Sequence, residues 1–598
     1  MPQYRAPLND YRFLLTELFD VSRLTRYQGY EDATPDILLT ALEGAGSLCE
    51  DVLLPLNASG DREGCSWDAG SVRTPAGFRE AWRAYVDGGW LGLSCDPVHG
   101  GQGLPLTMRF LVDEMACAAN LSFAMFPGLT LGVYEGIAAH GTEELRGLWL
   151  PRLVAGDATG TMCLTEAHAG TDLGIIRTAA VPVDDGTFRI RGTKIFISAG
   201  EHDLTPNIVH LVLARLPDAP AGTRGISMFL VPKFLPDEHG QPGARNAVTC
   251  RSIEHKMGIR ASPTCVLDFD DAVGWLVGEP HRGLRAMFTL MNGARLGVGL
   301  QGLGLAEVSY QNAVAYARER QQGRAPGGAR LPDAPADPIV FHPDIRRGLL
   351  TMRAFVEGAR ALACWTALLI DQEAKDPDPA RREEATDLIA LMTPVIKAFF
   401  TDLGFASTNI GLQTLGGHGY IREFGMEQFV RDARIGQIYE GTNHIQALDL
   451  VGRKLPEGGG RLVRRYAARL EEALATARGE PRLAEFAQPL AAAAHRLQQA
   501  TMTLAARGAG NPEEAAACAS EYLHLFGYVA LGHMWLLASQ ASLDRLDRAG
   551  GGLPRAFYDA KLATARFYVS RMLPQTEALL TSILAGAGSI TAFATDAF

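Results

Sequence analysis

The hydrophobic rhythm of the chain changes twice. Up to about residue 157 apolar positions recur at helical spacing, as in Phe13, Leu14 and Leu18, and the rhythm breaks at Gly/Pro clusters such as "CDPVHGGQGLP" (95–105). In this block "GTEELRGLWLPRLVAG" predicts a helix with Thr142 as its cap, because a hydroxyl there accepts from a first-turn N–H that has no helical partner. From about residue 158 the spacing shifts to partial alternation. "TFRIRGTKIFIS" (187–198), "NIVHLVLARL" (207–216) and "GISMFLVPK" (225–233) are rich in β-branched residues and separated by Gly, Asp and Pro, and "PTCVLDFDDAVGWLVG" (263–278) predicts the last strand of the set. Helical periodicity returns after about residue 280. The Pro/Gly-rich "QGRAPGGARLPDAPADP" (322–338) separates two long predicted helices and reads as an exposed loop. Beyond "PEGGG" (456–460) lies a further helical region, with a helix start at Asn511-Pro512 and an apolar row at Leu462, Tyr466, Leu470 and Leu474.

The predicted fold class is therefore α+β. A short N-terminal extension (1–35) precedes a helical domain (36–157), a middle β domain (158–279), a helical bundle (280–455) and an additional helical domain (456–598). A chain of 598 residues exceeds what one core ordinarily holds, and 47% hydrophobic with 21% charged residues excludes overall disorder. The net charge of −11 argues against a nucleic-acid partner. Nine cysteines, at 49, 65, 95, 117, 163, 250, 265, 364 and 518, show no CxxC and no Cys/His ligand spacing, so no metal site is expected and a reduced compartment fits. "MPQYRAPLNDYRFLLTELFD" makes a poor signal or transit peptide. No apolar run is read as approaching the roughly 20 residues of a membrane span, and the cytoplasm is the expected location.

Four stretches could carry chemistry. "MCLTEAHAGTDLG" (162–174) places Thr165, Gly170 and Thr171 at a turn that could approach a flat ring or a phosphate, although an ordinary Asx/Gly turn has the same composition. "GTKIFISAGEHD" (192–203) ends a strand with Phe196 and Ser198, an aromatic face and a hydroxyl that could meet a cofactor edge, or simply a strand burying Ile195 and Ile197. "MNGARLGVGLQGLG" (291–304) is a Gly-rich helix whose cost, about 1 kcal/mol per glycine, close packing or close ligand approach would justify. Its Arg295 reads equally as a solvated residue or an anion partner. "QTLGGHGYIREFGMEQFVRDARIGQIYEGTNHIQ" (413–446) joins a Gly-rich turn to Glu440, which is either a surface acid or, if buried among its apolar neighbours, a base of raised pKa.

Together the ordered set "LTEAHAGTD … KIFIS … KMGIR … LGGHGY … RDARIGQIYEGT" resembles the acyl-CoA dehydrogenase family from about residue 36 to 455. The two ends resemble a bacterial subgroup of this length that includes long-chain and 3-methylthiopropanoyl-CoA dehydrogenases. The resemblance implies a helical domain, a β-barrel or sandwich and a four-helix bundle, with FAD as cofactor and an acyl-CoA as substrate. Glu440 matches the family's base, which takes the α-proton while the β-hydrogen leaves as hydride to the flavin. Its backbone N–H and a ribityl hydroxyl would polarise the thioester carbonyl. Met162, Leu164 and Thr165 match positions beside the flavin ring, Gly170 and Thr171 the adjacent turn, and Phe196 with Ser198 the strand end against it. Arg320 matches an arginine reaching FAD phosphates across a subunit interface, and Gln413, Gly416 and Gly417 match the segment on the adenosine half. Thr442 and His444 match residues just after the base, with Tyr439 and Gly441 beside the substrate. Asn292 and Arg295 match positions near the thioester and the CoA chain.

The chain departs from the family at several points. Ala167 replaces the usual Pro, Thr171 a Ser, Asn292 an Asp and His444 a frequent Gln, and "QQGRAPGG" lacks the usual Lys/Thr-Phe-Gly after the FAD arginine. Some relatives carry the base at the position of Ala294, which leaves Glu440 as the base here. Small residues at Ala124 and Gly128, where narrower-pocket relatives carry larger side chains, imply a deeper acyl tunnel, hence a medium or long chain. Electron-transfer flavoprotein is the expected electron acceptor, with an acyl-CoA oxidase or a DNA-binding flavin relative as rivals. A homodimer is expected, with the added C-terminal domain covering surface that tetrameric relatives bury.

Overall fold

The chain folds into two compact units whose boundaries do not follow the changes of rhythm. The computed structural model describes residues 2–548, 550 and 552–598, and of Asn292 the backbone alone. One unit comprises the chain up to Glu43, Pro105–Glu114 and Val298–Phe598; the other comprises Gly44–Leu104 and Met115–Gly297.

The second unit holds the predicted strands. A seven-stranded mixed sheet is built from β1 (Ala158–Cys163), β2 (Ala179–Pro182), β3 (Phe188–Ser198), β4 (Asn207–Arg215), β5 (Ile226–Pro232), β6 (Val248–Ile253) and β7 (Thr264–Val277), in the order β6-β7-β3-β2-β4-β1. Strand β5 pairs with both β7 and β4, so the sheet curls back on itself. Every residue of β5, and all of β4 but Arg215, is buried. Burial on both faces explains why these segments read as apolar runs rather than clean alternation. Strands β1, β2 and β6 were not anticipated, nor was the hairpin Ser66–Asp68/Ser71–Arg73 inside the first, helical block. All are short, and the hairpin buries only Val72, so periodicity has little to register. Thr142 caps its helix as expected, accepting from Leu145 N at 3.3 Å. In the helix α1 (Leu106–His140) Asn120 leaves helical geometry; its side chain donates to Leu53 O and accepts from Phe123 N, both at 3.1 Å, restarting the helix.

In the first unit the long helices α2 (Gly283–Glu319, in this unit from Val298 on), α3 (Pro343–Lys375) and α4 (Pro379–Thr414) dominate. The glycines of α2 resolve one open question: a Cβ on Gly302 would lie 2.6 Å from Phe400 O and one on Gly299 3.1 Å from Ile396 O, so both serve close contact with α4. Against expectation, α1 and α4 each contain an 18-residue stretch long and apolar enough to cross a membrane; 83% and 72% of those stretches are buried inside the protein, as core helices are. The loop between α2 and α3 is exposed, as read, but ordered. Asp337 accepts from the N–H groups of Ala325, Arg330 and Leu331 at 2.8–2.9 Å, and these bonds, that from Ala325 first, hold its carboxyl at about 2.

The C-terminal region adds α5 (Asn443–Asp449), α6 (Arg461–Ala477), α7 (Ala484–Gly510), α8 (Ala519–Asp547), α9 (Arg555–Phe567) and α10 (Gln575–Ala585). The row Leu462, Tyr466, Leu470 and Leu474 is buried, and Asn511 caps its helix through Glu513 N at 3.1 Å. Helix α8 lies deepest: Trp535 donates to Ala354 O of α3 at 3.0 Å. Among the described residues four helices contain a π-turn, at Leu14–Leu18, Cys49–Leu53, Leu450–Lys454 and Tyr568–Met572.

An ion network ties this unit together. Arg360 of α3, 1% exposed, donates to Glu114 Oε1 at 2.8 Å, Asp10 Oδ2 at 2.9 Å and Glu307 Oε2 at 2.5 Å. Lys561 of α9 donates to Asp10 Oδ1 at 2.6 Å and Glu357 Oε2 at 2.8 Å. Burial pushes the Glu114 carboxyl up, and the guanidinium opposes it. Arg360→Leu would strand buried carboxylates without their cation and should cost about 3–5 kcal/mol, measurable as a lowered urea midpoint.

Candidate active site

On the sheet side, two residues inside the quoted motifs lock the turn after β1 to the end of β3. Lys194, fully buried, donates from Nζ to Leu164 O and to Glu166 Oε1, both at 2.9 Å. Glu166 also accepts from Arg177 N at 2.7 Å, Thr178 N at 3.0 Å and Thr178 Oγ1 at 2.6 Å. Burial works against the charged acid, yet Lys194 and these donors hold its carboxyl at about 2. Neither residue was among the predicted site residues; the signal available was an acid and a lysine set in two otherwise apolar or small-residue stretches.

This lock presents the predicted residues. Phe196 is 60% exposed and sits at φ +58°, with Ala199 at +52° after it, so two non-glycine residues in the left-handed region flank the half-buried Ser198. Gly170 and Thr171 are exposed, and no atom lies within 4 Å of a Cβ built on Gly170. Met162 and Thr165 are half-buried, while Leu164 is buried and contributes its carbonyl to Lys194.

On α1 of the same unit, Ala124, Gly128 and Gly132 follow at four-residue spacing along one helix face. A Cβ on Gly128 or Gly132 would meet nothing within 4 Å, whereas one on Gly136 would strike the Leu290 side chain. The half-buried Arg295 places its guanidinium 5.8 Å from the Phe288 ring centroid. The side chain of Asn292 lies outside the described residues.

On the first unit, Glu440 is not in a helix. It stands in the bend between the 3-10 turn Ile435–Gln437 and α5, at φ +26°, followed by Gly441 at +71°. Tyr439 Oη donates to Gln301 Oε1 of α2, and Thr442 Oγ1 donates to Gln437 O at 3.2 Å. Glu440 is half-buried and His444 exposed. Ile438, one of the apolar neighbours of the acid in sequence, is 52% exposed, so it does not bury Glu440 within this chain.

The residues matched to the adenosine half gather at the other end of α2 and α4. Tyr316, one turn before the exposed Arg320, has its Oη 2.8 Å from His418 Nδ1, and the His418 ring stacks on Phe424 at 4.6 Å. This pins the segment holding Gln413, Gly416 and Gly417, all exposed, the glycines with open space where a Cβ would stand. The structure thus brings together Phe196 and Ser198 with the turn of Thr165 on one unit, and separately Tyr439 to Thr442 on the other.

Known families account for most of the length. The acyl-CoA dehydrogenase N-terminal, middle and C-terminal domain patterns match residues 57–157, 161–272 and 281–455, and an acetyl-CoA dehydrogenase C-terminal-like pattern matches 464–594. The chain is 42% identical to a 3-methylmercaptopropionyl-CoA dehydrogenase of Ruegeria pomeroyi over 96% of its own length and 97% of the relative's. It is 34% identical to the broad-specificity linear acyl-CoA dehydrogenase FadE5 of Mycobacterium tuberculosis, covering 97% of each. Its fold is similar to Caenorhabditis elegans ACDH-11, solved in complex with C11-CoA, at a TM-score of 0.77 and 19% identity over 96% of this chain and 92% of that one.

The Lys194–Glu166 pair yields a stability test. Lys194→Met leaves a buried acid without its cation and should cost about 3–5 kcal/mol. The Glu166 carboxyl sits at about 2 against an ordinary 4.5, so its contribution is complete above pH 4.5 and is lost as pH falls toward 2. Glu166→Gln should melt below the parent at neutral pH, and the gap should close on acidification through that window in a pH series of thermal melts.

Proposed function

The chain belongs to the acyl-CoA dehydrogenase family, and on that premise we propose that it is an FAD-dependent enzyme converting a saturated acyl-CoA to the trans-2-enoyl-CoA. The observation that carries the role of Glu440 is its backbone: a non-glycine residue at φ +26°, in a bend whose two flanks are hydrogen-bonded to one helix. A carboxylate held in so disfavoured a conformation is expected where its direction matters.

The residues of the sheet side suit a flat heteroaromatic cofactor. Phe196 offers an exposed ring at a strand end, Ser198 a hydroxyl beside it, and Gly170 an approach without a side chain. Met162, Leu164, Thr165 and Thr171 would complete the flavin contacts, Arg320 would meet the phosphates, and Gln413, Gly416, Gly417, Thr442 and His444 the remainder of the cofactor. When bound, FAD supplies the two-electron acceptor for the hydride leaving the β-carbon. The protein's own part is at the α-carbon: the Glu440 carboxylate takes the proton there, and the Glu440 N–H donates to the thioester oxygen as negative charge develops on it.

For the acyl group, the open face at Ala124, Gly128 and Gly132 supports a medium or long chain. A second reading, 3-methylmercaptopropionyl-CoA, is supported by the 42% identity to a relative with that activity. Electron-transfer flavoprotein is the proposed acceptor and a homodimer the proposed assembly.

Glu440→Gln should retain FAD and bind substrate while flavin bleaching by acyl-CoA slows by at least about 100-fold; bleaching at the parental rate would remove Glu440 as the base. A series of acyl-CoAs from butyryl to palmitoyl, with 3-methylmercaptopropionyl-CoA included, should give the highest kcat/KM for medium or long chains with electron-transfer flavoprotein as acceptor. A maximum at the methylthio substrate would select the second reading, and stoichiometric peroxide in air an oxidase.

A further inference from the structure

The bend that carries Glu440 is anchored three residues before it and three residues after it, and both anchors reach one carboxylate. Gln437 Nε2 donates to Asp402 Oδ1 at 2.6 Å, and Asn443 Nδ2 donates to the same oxygen at 2.8 Å. Asn443 is fixed from its other end as well: the fully buried Lys397 donates to its Oδ1 at 2.8 Å, and its Nδ2 reaches Thr401 Oγ1 at 2.9 Å. Asp402 therefore acts as the common acceptor for the two ends of the loop. Its remaining oxygen, Oδ2, accepts from His524 Nε2 at 2.8 Å.

His524 belongs to α8, outside the dehydrogenase C-terminal pattern that ends at 455 and inside the additional pattern matching 464–594. Its imidazole stands edge-on to the Phe399 ring, with centroids 5.5 Å apart and planes at 78°, so the ring has little freedom to turn away from Asp402. A carboxylate whose two oxygens have separate partners is fixed in rotation. With His524 removed, Oδ2 would turn toward other donors, and Gln437 and Asn443 would lose a stationary acceptor.

We propose that His524 is a positioning residue for Glu440, acting through Asp402, so that the additional helical domain takes part in placing the base. This rests on the reading of Glu440 as the base. The links are three hydrogen bonds, from His524, Gln437 and Asn443 to Asp402, and the last two residues are themselves the ends of the bend. A displacement of the order of 1 Å at the reacting carboxylate can lower a rate by about 100-fold.

The test uses the full-length FAD-loaded protein, with butyryl-CoA, octanoyl-CoA and 3-methylmercaptopropionyl-CoA as probes, and follows flavin bleaching anaerobically beside steady-state turnover. Whichever probe the parent enzyme turns over fastest is used for the variants. His524→Ala should slow bleaching and kcat by about tenfold or more while KM shifts by less than about twofold, with FAD content unchanged. His524→Gln, which keeps an N–H donor at similar reach, should recover most of the rate. A rescue of rate by the donor alone is not what loss of packing would produce. Parental bleaching in His524→Ala, or a glutamine variant as slow as the alanine one, would overturn the proposal. If the alanine variant does not accumulate, Asp402→Asn should show the same slow bleaching, and a parental rate there would overturn it equally. Glu440→Gln in the same assay separates the two readings: bleaching retained in that variant removes the base assignment, whereas bleaching lost there but normal in His524→Ala removes only the role of His524.

Discussion

A guanidinium withdrawn from water can persist only if anions come to it, and Arg360 draws those anions from three distant parts of the chain. Asp10 comes from the N-terminal helix, Glu114 from the start of α1 and Glu307 from α2. Because each carboxylate is costly to bury alone, the three segments can dock only together. The network also makes the two ends of the chain interdependent. Asp10 is shared with Lys561 of α9, Phe13 packs on Phe557 with centroids 5.6 Å apart, and Tyr558 donates to Glu17 at 2.9 Å. The N-terminal segment is thus less an extension than a partner of the C-terminal helical region.

On both units the candidate chemistry sits where rigid elements hold short pieces of unfavourable backbone. Phe196 lies in, and Ala199 just after, a strand whose Lys194 is locked to Glu166; Glu440 and Gly441 lie between two residues anchored to Asp402 of α4. In each case a multiply hydrogen-bonded acid remote in sequence, Glu166 or Asp402, holds a residue two or three positions from the site residue: Lys194 beside Phe196, and Gln437 and Asn443 beside Glu440. The supporting acid sets the direction of its neighbour without itself being exposed to a ligand.

Much of this was legible in the sequence, for identifiable reasons. Long amphipathic rows such as Leu462 to Leu474, a cap such as Thr142, and β-branched runs such as 207–216 leave strong local patterns. Short, mostly exposed pieces such as the hairpin at 66–73 do not, since three residues cannot establish a period. Apolar helices interspersed with Asn, Gly and Thr also misled: no run was read as long enough to cross a membrane, yet α4 and α1, the latter despite its break at Asn120, carry such stretches as core helices. For the site, the residues that would touch cofactor or substrate could be named from an ordered set of motifs. Their supports could not. Glu166 pairs with a lysine 28 positions later, and Asp402 with a histidine 122 positions later. Nothing local to either acid distinguishes it from a solvated one.

The π-turn at Leu450–Lys454 has a consequence for how the domains could have been joined. An ordinary helical residue advances the face by about 100°, so a single residue inserted upstream would swing everything after it out of register. A turn that closes on the fifth residue absorbs such an insertion as a local bulge and leaves the helix continuous. This one lies directly after the helix that follows Glu440 and before the segment where a separate family pattern begins. The helix then ends in a stretch where Gly458, Gly459 and Gly460 all take positive φ before α6 starts, so a change of one residue after the Glu440 bend can be taken up here without passing into the appended helices.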